Sequence, residues 1–480
     1  MAAFPERVIQ FGEGNFLRAF VDWMLQKANQ AEVFAGSAIV VQPIPTGLAA
    51  ALNAQDSRYT VVLRGQQAGK PLVECDIVES ISRCLDSYSQ WDKVLQCAAD
   101  PQVDIMVSNT TEAGIAYDAD DSMDFGPPLS FPGKVCAYLY RRYQAFAGDS
   151  QSGMLILPCE LIENNGTELL NIVLRLADEW GLPDAFSQWV ADANTFANTL
   201  VDRIVTGYPG EKEAAQFWER TGFRDPLLTT GELFHLWVIE APAAAAERLP
   251  LHKAGLEVHW VDDLTPYRTR KVRILNGAHT SLFSVARLLG HTTVRETVEE
   301  PLTKGFLDGL LFKEVVPSMG QETQELDVFA GQVLERFRNP YIEHRWLDIS
   351  LNAAAKLRAR VLPSLTVHAE AGRLPQRLVF SLAAFIRFYR GTRWEGDVLV
   401  GEGPAGEYPI SDDPSVLNLF YSAWQDCGSD YQGVVEAILA DVSLWGLDLT
   451  QYPGLVKLTA EFLECMDRSG METALQRIEG

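Results

Sequence analysis

Residues 7–11 (RVIQF) read as a short buried strand that runs without a spacer into Gly12-Glu13-Gly14, and residues 15–29 behind it have helical periodicity. A strand, a two-glycine turn and a helix in that order constrain the fold more than any other stretch, because this is how a parallel α/β sheet begins. Gly12 permits a tight turn, and Gly14 lets backbone amides approach a pyrophosphate; Asn15 and Phe16 follow as further candidate cofactor contacts. Leu17 stands where a full dinucleotide fingerprint has its third glycine, so an ordinary strand–helix turn stays open as the alternative.

Three more apolar runs, 37–42 (SAIVVQ), 105–108 (IMVS) and 154–158 (MLILP), read as buried strands, while 59–64 alternates like an edge or antiparallel strand. The IMVS run ends in Asn109-Thr110-Thr111-Glu112, polar groups at the carboxyl end of a strand, where a doubly wound sheet binds its ligand. Thr110, Thr111 and Glu112 are therefore candidate cofactor contacts, with a solvated strand end as the alternative. The second strand closes on Gln42-Pro43-Ile44-Pro45-Thr46, with neither a carboxylate nor an arginine to choose between NAD and NADP. Beyond residue 265 long amphipathic stretches dominate, among them 266–289, 342–361 and 377–390, with few convincing strands. The expected organisation is an α/β Rossmann-like domain over 1–263 and a mostly α-helical substrate and catalytic domain over 264–480.

The formal net charge of −24 disfavours nucleic acid and anionic lipid as partners and makes any basic cluster informative. No stretch is long and apolar enough to span a bilayer, and no secretory leader opens the chain. Seven scattered cysteines without CxxC spacing suit reduced thiols in a cytoplasm and argue against a disulfide framework or a thiolate zinc site.

The basic cluster lies in Thr265-Pro266-Tyr267-Arg268-Thr269-Arg270-Lys271-Val272-Arg273-Ile274-Leu275-Asn276-Gly277-Ala278-His279. Thr265 before Pro266 suits a helix N-cap. On an α-helix Lys271, His279 and Asn276 fall at roughly 0°, 80° and 140°, on one face. Ketone reduction needs this set: an amide to stabilise the developing alkoxide, an amine to protonate it, and an imidazole to orient the substrate or tune the amine. Arg268, Arg270 and Arg273 nearby, together with desolvation, would lower the Lys271 pKa. Gly277, unfavourable inside a helix by about 1 kcal/mol, suggests close approach of a ligand. A surface helix with a basic face is the competing reading. The seven histidines lack HxxxH or HxxH spacing, so no metal site is expected.

Lys271-x4-Asn276-x2-His279, FGEGNFLRAF at 11–20, SNTTEAG at 108–114, PCELIENNG at 158–166, TLVDRI at 199–204 and RFRNPYI at 336–342 together resemble the polyol-specific long-chain dehydrogenase family, which includes mannitol dehydrogenase. The resemblance covers nearly the whole chain and is strongest to the branch acting on hexuronates. It implies a zinc-independent, NAD-dependent enzyme with its active site in the cleft between the domains. Lys271 is then the general acid/base, Asn276 polarises the ketone, and Asp202 and His279 complete the catalytic set, while Lys356 contacts substrate. Two departures stand out. Cys159-Glu160-Leu161 replaces the Cys-Asp-Asn of mannitol-type members, so the second oxyanion donor either comes from elsewhere, with Asn164 and Asn165 nearby, or is absent. Arg268 replaces an acidic residue, which suits a substrate that carries a carboxylate. The implied reaction is reversible reduction of D-tagaturonate to D-altronate; the fructuronate/mannonate pair, a neutral polyol, or a non-catalytic dinucleotide sensor are the alternatives. A small sugar acid is the expected partner, and the chain a monomer or small homo-oligomer.

Overall fold

Six short segments of the N-terminal half pair into one sheet: β1 (Glu6–Phe11), β2 (Ser37–Gln42), β3 (Ile81–Asp86), β4 (Ile105–Ser108), β5 (Leu155–Pro158) and β6 (Thr195–Phe196). Their order is β3-β2-β1-β4-β5-β6, with every neighbouring pair parallel. This is the Rossmann order, and its ligand crevice lies where the order reverses, between β1 and β4. Strands β2, β4 and β5 are buried along their whole length, as a sheet covered on both faces requires. Alternate residues of β1 serve opposite faces: Val8 joins Phe20, Met24 and Val107, whereas Ile9 and Phe11 join Met106, Val135 and Ile156. Phe11 pairs with Val41 and with Ser108, so the chain leaves β1, β2 and β4 at one level.

The computed structural model describes residues 4–67, 69–110, 113–320 and 323–479. It divides into two units: residues up to Gly65 with Pro71–Tyr267, and the chain from Arg268 onward with the short segment Gln66–Lys70. No helix among the described residues is long and apolar enough to cross a membrane.

The structure corrects several local readings. The helix expected over 15–29 is split into Asn15–Arg18 and Val21–Gln30. The Arg18 carbonyl takes a hydrogen bond from Tyr59 Oη (3.0 Å) and the Ala19 carbonyl one from Arg203 Nη1 (2.7 Å), drawing both towards partners outside the helix. Tyr59–Gln67 is not an edge strand. It lies inside a four-stranded sheet, parallel to Thr229–Gly231, and is buried from Tyr59 to Gly65.

In the second unit Gly277–Leu289 packs on Gln376–Phe388, which packs on Leu455–Ser469. The Phe283 ring meets Phe385 and Phe388 edge-on at 6.2 and 5.1 Å. The helix expected over 342–361 is interrupted: Trp346–Ile349 and Ala353–Arg360 flank Asn352, whose φ is +51°. A small antiparallel meander, Gly391–Glu395, Val398–Gly403 and Gly406–Ile410, also stands where few strands were expected.

Candidate active site

The turn after β1 is built for close approach. Gly12 has φ +116°, and a Cβ there would lie 2.7 Å from the Asn109 carbonyl oxygen. Its amide donates to the Val41 carbonyl at 2.9 Å, so the ends of β1, β2 and β4 converge on this residue. Gly14 is the opposite case, because a Cβ there would meet nothing within 4 Å. The turn's carbonyls are tied inward: Gln10 Nε2 donates to Gly12 O (3.1 Å) and Arg18 Nε to Glu13 O (3.2 Å). A rigid turn with open space over its second glycine fits the pyrophosphate of a dinucleotide. Asn15 is exposed, its Oδ1 accepting from Arg18 Nη2 at 2.6 Å, and Phe16 stacks on Phe20 at 4.9 Å.

At the end of β4, the Thr110 amide and Oγ1 both donate to Glu160 Oε1 at 2.9 Å, and Ser108 Oγ donates to Glu160 Oε2 at 3.0 Å. Burial pushes the Glu160 carboxyl up, and these three bonds pull it down. Thr111 and Glu112 lie outside the described residues. Asn165 does not fill the role expected of it. Its buried Nδ2 donates to the carbonyls of Pro158, Glu160 and Thr199 (3.0, 3.0 and 3.2 Å), leaving no donor for a substrate oxyanion. Asp202 ends the strand Asn198–Asp202, buried and paired with Leu236. Its neighbour Arg203 donates to the carbonyls of Ala19, Leu233 and Phe234.

The Lys271 segment departs from the expected regular helix. Thr265 is already the first helical residue, and its amide donates to Asp263 Oδ1 at 2.8 Å, so Thr265 is not the cap the sequence suggested. After Thr265–Arg270 the chain forms a π-turn over Lys271–Asn276 before resuming as Gly277–Leu289. In an α-helix positions five apart diverge, but the wider turn of the i→i+5 π-ladder turns Asn276 nearer to the direction of Lys271. Amine and amide are therefore closer in direction than α-helical geometry gives.

His279 follows on the next turn, buried among Phe337, His344 and Trp346, with ring centroids at 4.2, 4.8 and 6.3 Å. Burial, reinforced by His344, Arg336 and Arg360, holds its imidazole far below the usual histidine range, so it is neutral. Its buried Nε2 has no hydrogen-bond partner among the described residues, which points to a polar group supplied from outside. Gly277 is explained differently from the expectation: a Cβ there would lie 3.3 Å from the Arg360 carbonyl, so it makes room for a neighbouring helix rather than for a ligand. Arg273 turns to the hydroxyls of Ser318 (2.7 Å) and Ser364 (2.8 Å), and Arg270 lies over the Phe329 ring at 4.9 Å. Lys356 Nζ donates to the Ile349 carbonyl at 3.0 Å, and burial and Arg360 lower its pKa.

Residues 6–253 match the model of the mannitol dehydrogenase Rossmann domain, and residues 263–467 that of the mannitol dehydrogenase C-terminal domain. The chain belongs to the mannitol dehydrogenase family. It is an oxidoreductase acting on CH–OH groups. Within this family it is 43% identical over 480 residues to an altronate oxidoreductase of Klebsiella pneumoniae, covering 99% of this chain and 97% of the relative. It is 44% identical over 479 residues to an altronate oxidoreductase of Pectobacterium carotovorum, covering 98% and 96%. Among solved structures, a substrate-free D-sorbitol dehydrogenase superposes with a TM-score of 0.80 at 22% identity, over 98% of this chain and 95% of that one. The Pseudomonas fluorescens mannitol 2-dehydrogenase ternary complex with NAD and D-mannitol gives 0.67 at 21%, over 99% and 95%. At these identities the two structures establish the fold.

Three residues of this mannitol dehydrogenase family chain escaped the sequence reading. Arg18 and Glu160 are buried charges that fix the two strand-end segments, and nothing local marks them as buried. Arg360 was legible in principle, since it lies one helical turn beyond Lys356. It is a half-buried guanidinium bonded to Thr280 Oγ1 at 3.3 Å, with no carboxylate partner among the described residues. A cation without a counter-ion in so acidic a chain suits a site for anions.

Proposed function

We propose that the protein catalyses the reversible NAD-dependent reduction of D-tagaturonate to D-altronate. The observation that carries this reading is 43–44% identity over essentially the whole chain to enzymes named for altronate oxidation. The glycine turn after β1 supports NAD as cofactor, with Gly12, Gly14, Asn15, Phe16 and Thr110 around it. NADH, when bound, supplies the hydride that reduces the ketone carbon.

In this reading the chain's own residues manage the oxygen. Lys271 gives it a proton in reduction and removes one in the reverse direction. Asn276, brought nearer to the direction of Lys271 by the π-turn, donates an amide hydrogen bond to the developing alkoxide. Neutral His279 offers its bare Nε2 to a substrate hydroxyl, and Asp202 belongs to the same catalytic set. Arg268 and Lys356 receive the substrate, Arg268 pairing with its carboxylate. The reading includes a cytoplasmic enzyme, monomeric or a small homo-oligomer.

Following NADH oxidation with D-tagaturonate, D-fructuronate and D-fructose tests it. The expected order places tagaturonate first and fructose last; a faster rate with fructose than with either keto acid overturns the substrate reading. Arg268→Glu is expected to erode the preference for keto acid over ketose by about tenfold or more, the scale of a lost charge-assisted pair.

A further inference from the structure

A doubly wound sheet that binds NAD ordinarily carries an acidic residue at the end of its second strand, where the adenosine ribose lies. Here Gln42-Pro43-Ile44-Pro45-Thr46-Gly47-Leu48 follows that strand with no acidic residue, and with no lysine or arginine that would welcome a 2′-phosphate. The structure brings an acid to this place from a different strand. Glu13, between the two glycines of the β1 turn, directs its carboxylate across to the segment after β2, where Oε1 accepts the Leu48 amide at 3.2 Å. Gly47 makes this possible, since a Cβ there would lie 1.9 Å from the same oxygen. Gln42 braces the segment from within, its Nε2 donating to the Ile44 carbonyl (3.0 Å) and its Oε1 accepting the Ala49 amide (3.2 Å).

Glu13 is 6% exposed, and Leu48 is the only other described residue that donates a hydrogen bond to its side chain. Arg18 does not screen it fully. That guanidinium is buried and committed to the Glu13 carbonyl, Asn15 Oδ1 and the Leu227 carbonyl. Asp86 at the end of β3 adds a second negative charge acting on Glu13.

We propose that Glu13 receives the adenosine ribose hydroxyls of NAD and bars the 2′-phosphate of NADP, taking the part of the acid that the second strand lacks. This rests on the NAD reading above. A carboxylate with acceptor capacity left suits two neighbouring hydroxyls, whereas a phosphate there meets like charge in a partly desolvated place.

The test is titration of the purified protein with NADH and with NADPH, read by nicotinamide fluorescence, for the wild type, Glu13→Gln and Glu13→Ala. The wild type is expected to bind NADH about a hundredfold more tightly than NADPH. Glu13→Gln keeps an acceptor for Leu48 but loses the charge, so the NADPH-to-NADH ratio of dissociation constants falls by about tenfold or more. Glu13→Ala additionally weakens NADH. Glu13→Gln carries the test should Glu13→Ala not fold, as melting temperatures of the free proteins reveal. A ratio unchanged in Glu13→Gln, or a parallel loss for both cofactors, overturns the proposal and leaves Glu13 as a support for the loop. A wild type that binds neither cofactor overturns the NAD reading itself, and this proposal with it.

Discussion

The two units use their conspicuous glycines in opposite ways. In the first, Gly12 is required by its own backbone, with φ +116° and the Asn109 carbonyl 2.7 Å from where a Cβ would stand, while Gly14 faces open space. In the second, Gly277 has ordinary helical geometry, and a Cβ there would come nearest to the Arg360 carbonyl. A glycine in a sequence thus announces a close approach but not the identity of what approaches. A buried titratable group beneath each segment repeats the contrast: burial drives Asp22 under the turn up to about 7 and His279 behind the π-turn far down, so each favours its neutral form.

The largest expected effect separates the chemistry proposed for the second unit from the cofactor binding proposed for the first. Lys271→Ala should lower kcat by about 10²–10⁴-fold while NADH still binds. Near-normal turnover in this variant would remove the amine from the mechanism and leave the π-turn a packing feature.

Next comes the turn. Gly12→Ala forces a side chain into a positive-φ position against a fixed carbonyl, which should cost about 3 kcal/mol and weaken NADH binding as the strand ends part. Urea denaturation checks the first effect and NADH titration the second. A variant with wild-type stability would show that the turn relaxes freely and is not the rigid cradle described.

Asp22 sharpens the same comparison through pH. It is fully buried; its Oδ2 accepts from Gln10 Nε2 (3.2 Å) and Tyr59 Oη (3.3 Å), and its Oδ1 has no partner among the described residues. Its folded pKa of about 7 exceeds the ordinary 3.8, so the folded chain binds the extra proton between those values. Stability from this group is therefore present at low pH, falls as pH rises through about 7, and levels above it, by a few kcal/mol at most. Asp22→Asn should flatten that slope and be the more stable protein at pH 8. Identical slopes in urea midpoints from pH 5 to 8 for both proteins would refute it.

What the sequence disclosed follows from range. β1, β2, β4, β5 and the glycine turn were legible because local pattern specifies apolar runs and a strand–turn–helix whose parts are neighbours in the chain; the outer strands β3 and β6 were not read. Arg203 breaking the first helix at Ala19, Glu160 fixing Thr110 and Asn165 reaching the Thr199 carbonyl are contacts across 34 to 184 residues, which no periodicity reveals. The π-turn escaped for a different reason. Lys271, Asn276 and His279 stood out as candidates by residue type, but the wider turn of a π-helix leaves no compositional mark, so the α-helical angles misplace Asn276.

The smallest effect is the most discriminating for the glycines. Gly277→Ala adds a methyl group 3.3 Å from the Arg360 carbonyl, a contact that relieves itself by a shift of a few tenths of an ångström. Alanine also favours the helix over glycine by about 1 kcal/mol, which opposes the crowding. The two terms should nearly cancel, leaving stability within about 1 kcal/mol of the wild type and NADH binding unchanged. If Gly277 instead made room for substrate, the methyl group would raise KM for the keto acid while leaving stability alone. A raised KM at constant urea midpoint would thus return Gly277 to the ligand and make the two glycines alike.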